Sequence, residues 1–159
     1  MAASRSTANQ TEINTCYVVK ITPDAVMPKY KSKNSYALSL ISPSAREISP
    51  KNSVKIHLGY KIRTPIGMYG SIVNTPILAM NGITVINFCL ERDFEEEVVI
   101  TLTNMSDNET YFIKAGDIVG QKIFKQILRK PKLKQVANFP DLSDICITSS
   151  SSNITTFYL

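Results

Sequence analysis

The sequence predicts an all-β, single-domain fold, and three observations carry that prediction. Hydrophobic residues make up 43% of the 159 residues, which is enough for a buried core, yet no stretch holds the helical period over a convincing length. Short β-rich runs recur instead, with turn signals at roughly the 8–12-residue spacing of barrels and sandwiches. Prolines at Pro23, Pro28, Pro43, Pro50, Pro65 and Pro76 fall between those runs, where a residue without an N–H does least harm to a ladder.

Residues 1–14 are polar, rich in Ser, Thr and Asn, and are expected to lack order. Cys16–Ile21 predicts the first strand, ended by Pro23 and Pro28. Lys29–Lys33 predicts a basic, exposed loop. Ser35–Ile41 alternates and predicts a strand, and Pro43 and Pro50 bracket a loop with a short strand at Glu47-Ile48. Ser53–Arg63 alternates throughout, which predicts one strand with Val54, Ile56, Leu58, Tyr60 and Ile62 on a single face. Pro65 and Gly67 mark a turn, because one fixes φ and the other permits positive φ. Met68–Val73 alternates around Gly70, and Asn74-Thr75-Pro76 turns again. A short apolar run, Ile77–Ala79, precedes a reversal at Asn81-Gly82 and a β-rich run over Ile83–Leu90. Val98–Thr103 and Tyr111–Ile113 predict strands joined by a polar turn. Ala115-Gly116-Asp117 turns tightly into a last strand, Ile118–Leu128, followed by a basic run to Lys134. Residues 15–136 therefore read as one β domain and 137–159 as a flexible tail with a serine run at Ser149–Ser152.

Composition narrows the chemistry. Cys16, Cys89 and Cys146 are widely spaced and odd in number, which predicts reduced thiols in a cytoplasmic or nuclear protein. No metal-ligand spacing is present. His57 is the single histidine and is expected to be a strand residue, so a Ser-His-Asp or Cys-His mechanism is not expected. No run reaches the ~20 apolar residues of a membrane helix, and the N-terminus carries no apolar segment of a secretory signal. The net charge of +5 permits an anionic partner without requiring one. Lys122, Lys125, Arg129, Lys130, Lys132 and Lys134 form either an anionic-surface contact or a solvated strand end. Aromatic side chains are not interleaved with them, so nucleic acid is not an expected partner.

Pro65-x-Gly67-x-Tyr69-Gly70, then Leu78-Ala79, Ile83-x-Val85 and Asp93-Phe94 resemble the centre of the trimeric dUTPase family. That family has P-x-G-x-Y-G-R-x-A-P-R-S-G-L-A here, followed by a hairpin I-D-V-x-x-G-V-I-D-x-x-Y-R-G. The resemblance runs from about Tyr17 to about Val136. It implies a distorted jelly roll or β-barrel, a homotrimer with sites between subunits, and magnesium-dependent cleavage of dUTP to dUMP and pyrophosphate through five short motifs.

The scaffold positions match and the chemical ones mostly do not. The first motif, A-G-x-D-L, falls on Asn34-Ser35-Tyr36-Ala37-Leu38, so Ala37 replaces the carboxylate that organises water and metal. The second, P-R-S-G, falls on Asn74, Thr75, Pro76 and Ile77, so neither Thr75 nor Pro76 supplies the guanidinium fork that grips phosphate. In the third, Glu91 stands for the Asp that acts as general base, one methylene longer, and a misplacement near 1 Å can cost on the order of 100-fold. Phe94 stands for the stacking Tyr, and Phe88 replaces a hairpin glycine, where its ring is expected to fill the space of the base. Glu95, Glu96 and Glu97 replace R-G-x, as a solvated strand end or as a charge repulsive to triphosphate. The fourth motif survives in outline as Gly116-Asp117-Ile118-Val119-Gly120-Gln121, with Gly116 and Asp117 forming a turn and Gln121 still able to hydrogen-bond. The glycine-rich fifth motif has no counterpart after Val136, and no glycine occurs there.

The sequence thus predicts a catalytically inactive dUTPase-like protein, with no cofactor, repurposed for binding cellular proteins. In this it is similar to the dUTPase-derived proteins of adenovirus early region four. A terminal Phe157-Tyr158-Leu159 can add a strand to a PDZ domain, although Ser or Thr two residues before the end is missing, or can pack on its own domain. The alternative is a magnesium-dependent dUTP diphosphatase with a divergent site. Binding of anionic surfaces through the basic run is a third reading, and nucleotide binding without hydrolysis is disfavoured by Phe88.

Overall fold

Apolar side chains placed at every second position build this core strand by strand, in a computed structural model that describes residues 14–128 and 131–138. The chain order is β1 (Tyr17–Lys20), β2 (Lys29–Tyr30), β3 (Ala37–Ile41), β4 (Arg46–Ile48), β5 (Ser53–His57) and β6 (Tyr60–Arg63). Then come β7 (Met68–Val73), α1 (Pro76–Met80), β8 (Ile83–Val85), β9 (Phe88–Leu90), β10 (Val99–Asn104), β11 (Tyr111–Ile113) and β12 (Ile118–Gln126). A five-stranded sheet runs β2-β3-β12-β7-β9 and a three-stranded one runs β5-β10-β8. Two further pairs, β1-β6 and β4-β11, complete the set. Every pairing is antiparallel. The strands that follow one another in sequence mostly sit in different sheets, so the chain crosses between layers as an all-β jelly roll does. Leu40, Ile56, Leu58, Ile72, Ile100 and Leu102 meet in one buried cluster. No helix of the described residues is long and apolar enough to cross a membrane.

The chain falls into two units, Met1–Leu128 and Arg129–Leu159. All the elements above belong to the first. In the second, residues 131–138 form neither helix nor strand and are exposed. The expected N-terminal segment up to residue 13, together with most of the expected tail, Phe157, Tyr158 and Leu159 included, lies outside the described residues.

Four expectations need correction. Ser53–Arg63 is two strands, because Gly59 takes φ +71° and sends β5 to β10 and β6 to β1. A Cβ at Gly59 would overlap Thr22 Oγ1, and the Gly59 carbonyl accepts from the N–H of Ile21 at 2.8 Å and of Thr22 at 3.1 Å. The alternation survives the break, so Ile56, Leu58, Tyr60 and Ile62 still face inward. The turn expected at Asn74-Thr75-Pro76 is the start of a helix, which takes in the apolar run Ile77–Ala79. Thr75 caps α1 by accepting from the Leu78 N–H at 3.2 Å, Pro76 occupies the first turn, and Gly82 leaves the helix at φ +70°. Ile83–Leu90 also splits, since β8 joins β10 while β9 joins β7. Within Lys29–Lys33, Lys29 and Tyr30 pair with β3 as an edge strand instead of forming a loop.

The basic run of the sequence is broken as well. Lys125 is exposed, but Lys122 is fully buried in the middle of β12 and is no part of a surface patch. His57 lies in β5, as its alternation implied, and pairs with Glu97 at 2.8 Å.

Candidate functional site

β12 is flanked by β3 and β7, and this pairing sets Gln121 opposite both Ser39 and Val73. Two turns close around that point. Gly116, at φ +94°, and Asp117 form the turn into β12, with the Asp117 carboxylate accepting from the Lys114 N–H at 2.8 Å. The Gly116 N–H donates to the Ser42 carbonyl and the Ser42 N–H to that of Asp117, each at 2.9 Å, which staples the turn to the end of β3. On the other side stands the start of α1. The result is a cleft of about 670 Å³ lined by Lys31, Ser39, Thr75, Pro76, Tyr111 and Gln121, with Ile77, Leu78, Ile113 and Ile118 among its walls.

The polar groups at the cleft's α1 side are already committed to the fold. Thr75 Oγ1 accepts the capping bond, and the Thr75 N–H donates to Asn74 Oδ1 at 2.9 Å. Asn74 Nδ2 in turn donates to the Ile83 carbonyl at 2.9 Å. Lys31 is the one cation among the lining residues and Asp117 the one carboxylate. Ser39 is 2% exposed, and its hydroxyl has no hydrogen-bond partner among the described residues. Ala37 lies two residues before it on the same strand, half-buried and opposite Ile123.

Phe88, Glu91 and Phe94 do not line this cleft. Phe88 sits in β9 opposite Ile72 and packs partly against the core. Glu91 is exposed just beyond β9, where the Phe94 N–H donates to its carbonyl at 3.3 Å to close a turn. Phe94 borders a second cleft of about 370 Å³ with Tyr17, Val19, Lys61, Arg63 and Glu95. The acidic run has mostly local work. Glu95 pairs with Arg63 at 2.8 Å. Glu97 accepts from His57 and from the Gly59 N–H at 2.9 Å, so its side chain braces the break between β5 and β6. The bond from His57, and secondarily that from Gly59, hold the Glu97 carboxyl below the usual range against the opposing effect of burial.

Three of the sequence-predicted positions, Thr75, Pro76 and Gln121, thus meet in one cleft, joined by the Gly116-Asp117 turn. A sequence model of the dUTPase family matches residues 23–152. The chain belongs to the dUTPase family. A deoxyuridine 5'-triphosphate nucleotidohydrolase of Paramecium bursaria Chlorella virus 1 is 29% identical over 70% of this chain and 79% of its own. A second, from Wolinella succinogenes, is 27% identical over 69% of this chain and 75% of its own. In fold, the chain resembles a dUTPase of staphylococcal bacteriophage 80alpha, with a TM-score of 0.72 at 19% identity, covering 80% of this chain and 99% of that one. It is equally similar to a dUTPase of phage phi11 of S. aureus, described with a structural Mg(II) ion, at TM-score 0.72 and 18% identity over 80% of this chain and all of that one.

The side chains of this family member do not fit a magnesium site within one chain. Among the described residues no three of His, Cys, Asp and Glu gather to hold a metal, and Asp117 spends its carboxylate on its own turn. Sequence reasoning missed Lys31, Ser39 and Tyr111 as lining residues. They come from the segment following β2, from β3 and from β11 respectively, and only the sheet order brings them to Gln121.

Proposed function

We propose that this dUTPase-family protein is catalytically inactive and acts by binding other proteins. What supports this most directly is the cleft where the second and fourth motifs meet. A triphosphate needs several cationic forks and free N–H donors there. The cleft offers one lysine at its rim, an apolar wall through Ile77, and a Thr75 whose hydroxyl is occupied in capping α1. The residues that stand for the general base and the stacking ring, Glu91 and Phe94, lie outside it. Partners of the kind bound by the dUTPase-derived adenovirus proteins, a homotrimeric assembly, a PDZ contact through Phe157–Leu159 and a cytoplasmic or nuclear setting all belong to this proposal. Pyrophosphate release from dUTP with magnesium tests it, with no turnover above background expected. Robust turnover would remove it.

The second reading is a dUTP diphosphatase whose site has drifted. Its support is the retained Gln121 in the cleft, the exposed Glu91 carboxylate and the nucleotidohydrolase names of its relatives. Magnesium would then be held by groups drawn from more than one chain.

A further inference from the structure

Lys122 is the least expected side chain in the molecule. It is 0% exposed, and its Nζ donates to Thr64 Oγ1 at 2.8 Å and lies 4.9 Å from the centroid of the Phe124 ring. Space for it exists because the diagonal position on β7, opposite Phe124, is glycine, since a Cβ at Gly70 would overlap Lys122 Cε. Among the described residues no carboxylate pairs with Lys122. The ion pairs of the described residues are Lys51–Asp107, His57–Glu97 and Arg63–Glu95, none of which reaches it.

The groups around it are few. From β3 and β7 the facing residues, Leu38 and Ile72, are apolar. The segment before β1 supplies the Cys16 thiol, which burial pushes up and Lys122 draws back down. Beside Cys16, β6 supplies Tyr60, buried, with a hydroxyl that has no partner among the described residues, and pushed well up by burial and secondarily by Cys16. The remaining neighbour is Thr64, itself fully buried. Thr64 Oγ1 also donates to the Leu90 carbonyl at 3.4 Å, and Arg92 Nη1 donates to the Thr64 carbonyl at 3.4 Å. Leu90 and Arg92 are the two residues that flank Glu91.

We propose that Lys122 and Thr64 form a proton-sensitive strut that positions the Glu91–Phe94 turn. A hydroxyl has one hydrogen to give. An ammonium has no lone pair and can only donate, so beside a charged Lys122 the Thr64 hydrogen must go to Leu90. A neutral amine has a lone pair and accepts. The Thr64 hydrogen can then turn inward, and the long bond to Leu90, the weaker of the two, is lost. The turn is held when Lys122 is charged and loosened when it is neutral. Burial brings that change down to about 8.

The chain contains no tryptophan, so Phe94→Trp places a single indole on the turn. Its emission is followed from about pH 6.5 to pH 9.5, with far-ultraviolet dichroism recorded in parallel to show an intact fold. The expected result is a transition centred near pH 8 without loss of dichroism, matched in the unsubstituted chain by lower protection of the amides of residues 91–94 on the alkaline side, once exchange is corrected for its intrinsic base catalysis. Adding Lys122→Met or Thr64→Val removes the transition. Thr64→Ser, which keeps the hydroxyl, and Cys16→Ser, which removes the thiol, both retain it. A flat profile, a transition that persists in Thr64→Val, or one that disappears in Cys16→Ser would overturn the proposal. Thr64→Val decides the matter even if Lys122→Met does not fold.

Discussion

A lysine without a counter-charge inside a β core works against the fold that contains it. Burial lowers Lys122 from its ordinary 10.5 to about 8, which corresponds to on the order of 3 kcal/mol of penalty on the charged form. The folded pKa is the depressed one. Between about 8 and 10.5 the unfolded chain therefore holds a proton that the folded chain has released, and stability rises with pH across that window. Below 8 both states are charged and the full penalty stands. Lys122→Met is accordingly expected to raise stability at neutral pH by about 2–3 kcal/mol and to abolish the alkaline rise, both read from urea midpoints measured across pH. Gly70→Ala is expected to cost about 1–3 kcal/mol, because its methyl group overpacks against the lysine chain. Pairing Gly70→Ala with Lys122→Ala, which removes the overlapped Cε, should lessen that cost, a coupling that a double-mutant cycle measures. Nothing in the sequence shows this contact. A lysine in an alternating strand is ordinarily turned to solvent, and the gap beside Gly70 exists only once β7 and β12 are in register.

Elements were legible where one signal acted alone. Met68–Val73, marked by its alternation, and Tyr111–Ile113, a short apolar run between two turns, are strands over the residues expected. Where two signals overlap, the sequence alone does not separate them. Thr75-Pro76 and Asn81-Gly82 read as turns in the sequence, yet an N-cap, a first-turn proline and a C-terminal glycine are built from the same residues. Thr75→Ala should therefore cost about 1 kcal/mol of stability and Thr75→Ser little, as thermal unfolding would show. The break at Gly59 was hidden because the apolar period runs through it unchanged. Its brace is Glu97, whose folded pKa is depressed. That stabilisation is present above the unfolded value and is lost as pH falls through the folded one. Glu97→Gln should thus flatten the acid limb of the stability curve below about pH 4.5, a change seen by repeating the urea midpoints in acid.

At the scale of the whole molecule, the sequence carried the all-β family fold well, because prolines, glycines and alternation set geometry locally. The expectation that Ala37, Thr75 and Pro76 stand where the family has other groups also comes from the sequence and rests on the resemblance, whatever the fold does. What the sequence could not show was which positions meet. Gln121 and Thr75 share a cleft with Ser39 and Lys31, residues separated from them by whole strands, while Glu91 and Phe94 stand elsewhere. Pull-downs with the intact chain and with one lacking Phe157–Leu159 are expected to differ in the proteins retained. Equal sets, read by mass spectrometry, would move the binding surface to the β body.

The two hollows have a consequence for dilution. A lone copy keeps the surroundings of Gln121 in one and Phe94 on the rim of the other. Chemistry that needs both would have to borrow one half from a second molecule, so its rate would drop more steeply than concentration as copies part. A binder that uses either hollow by itself would hold the same affinity at nanomolar and micromolar protein.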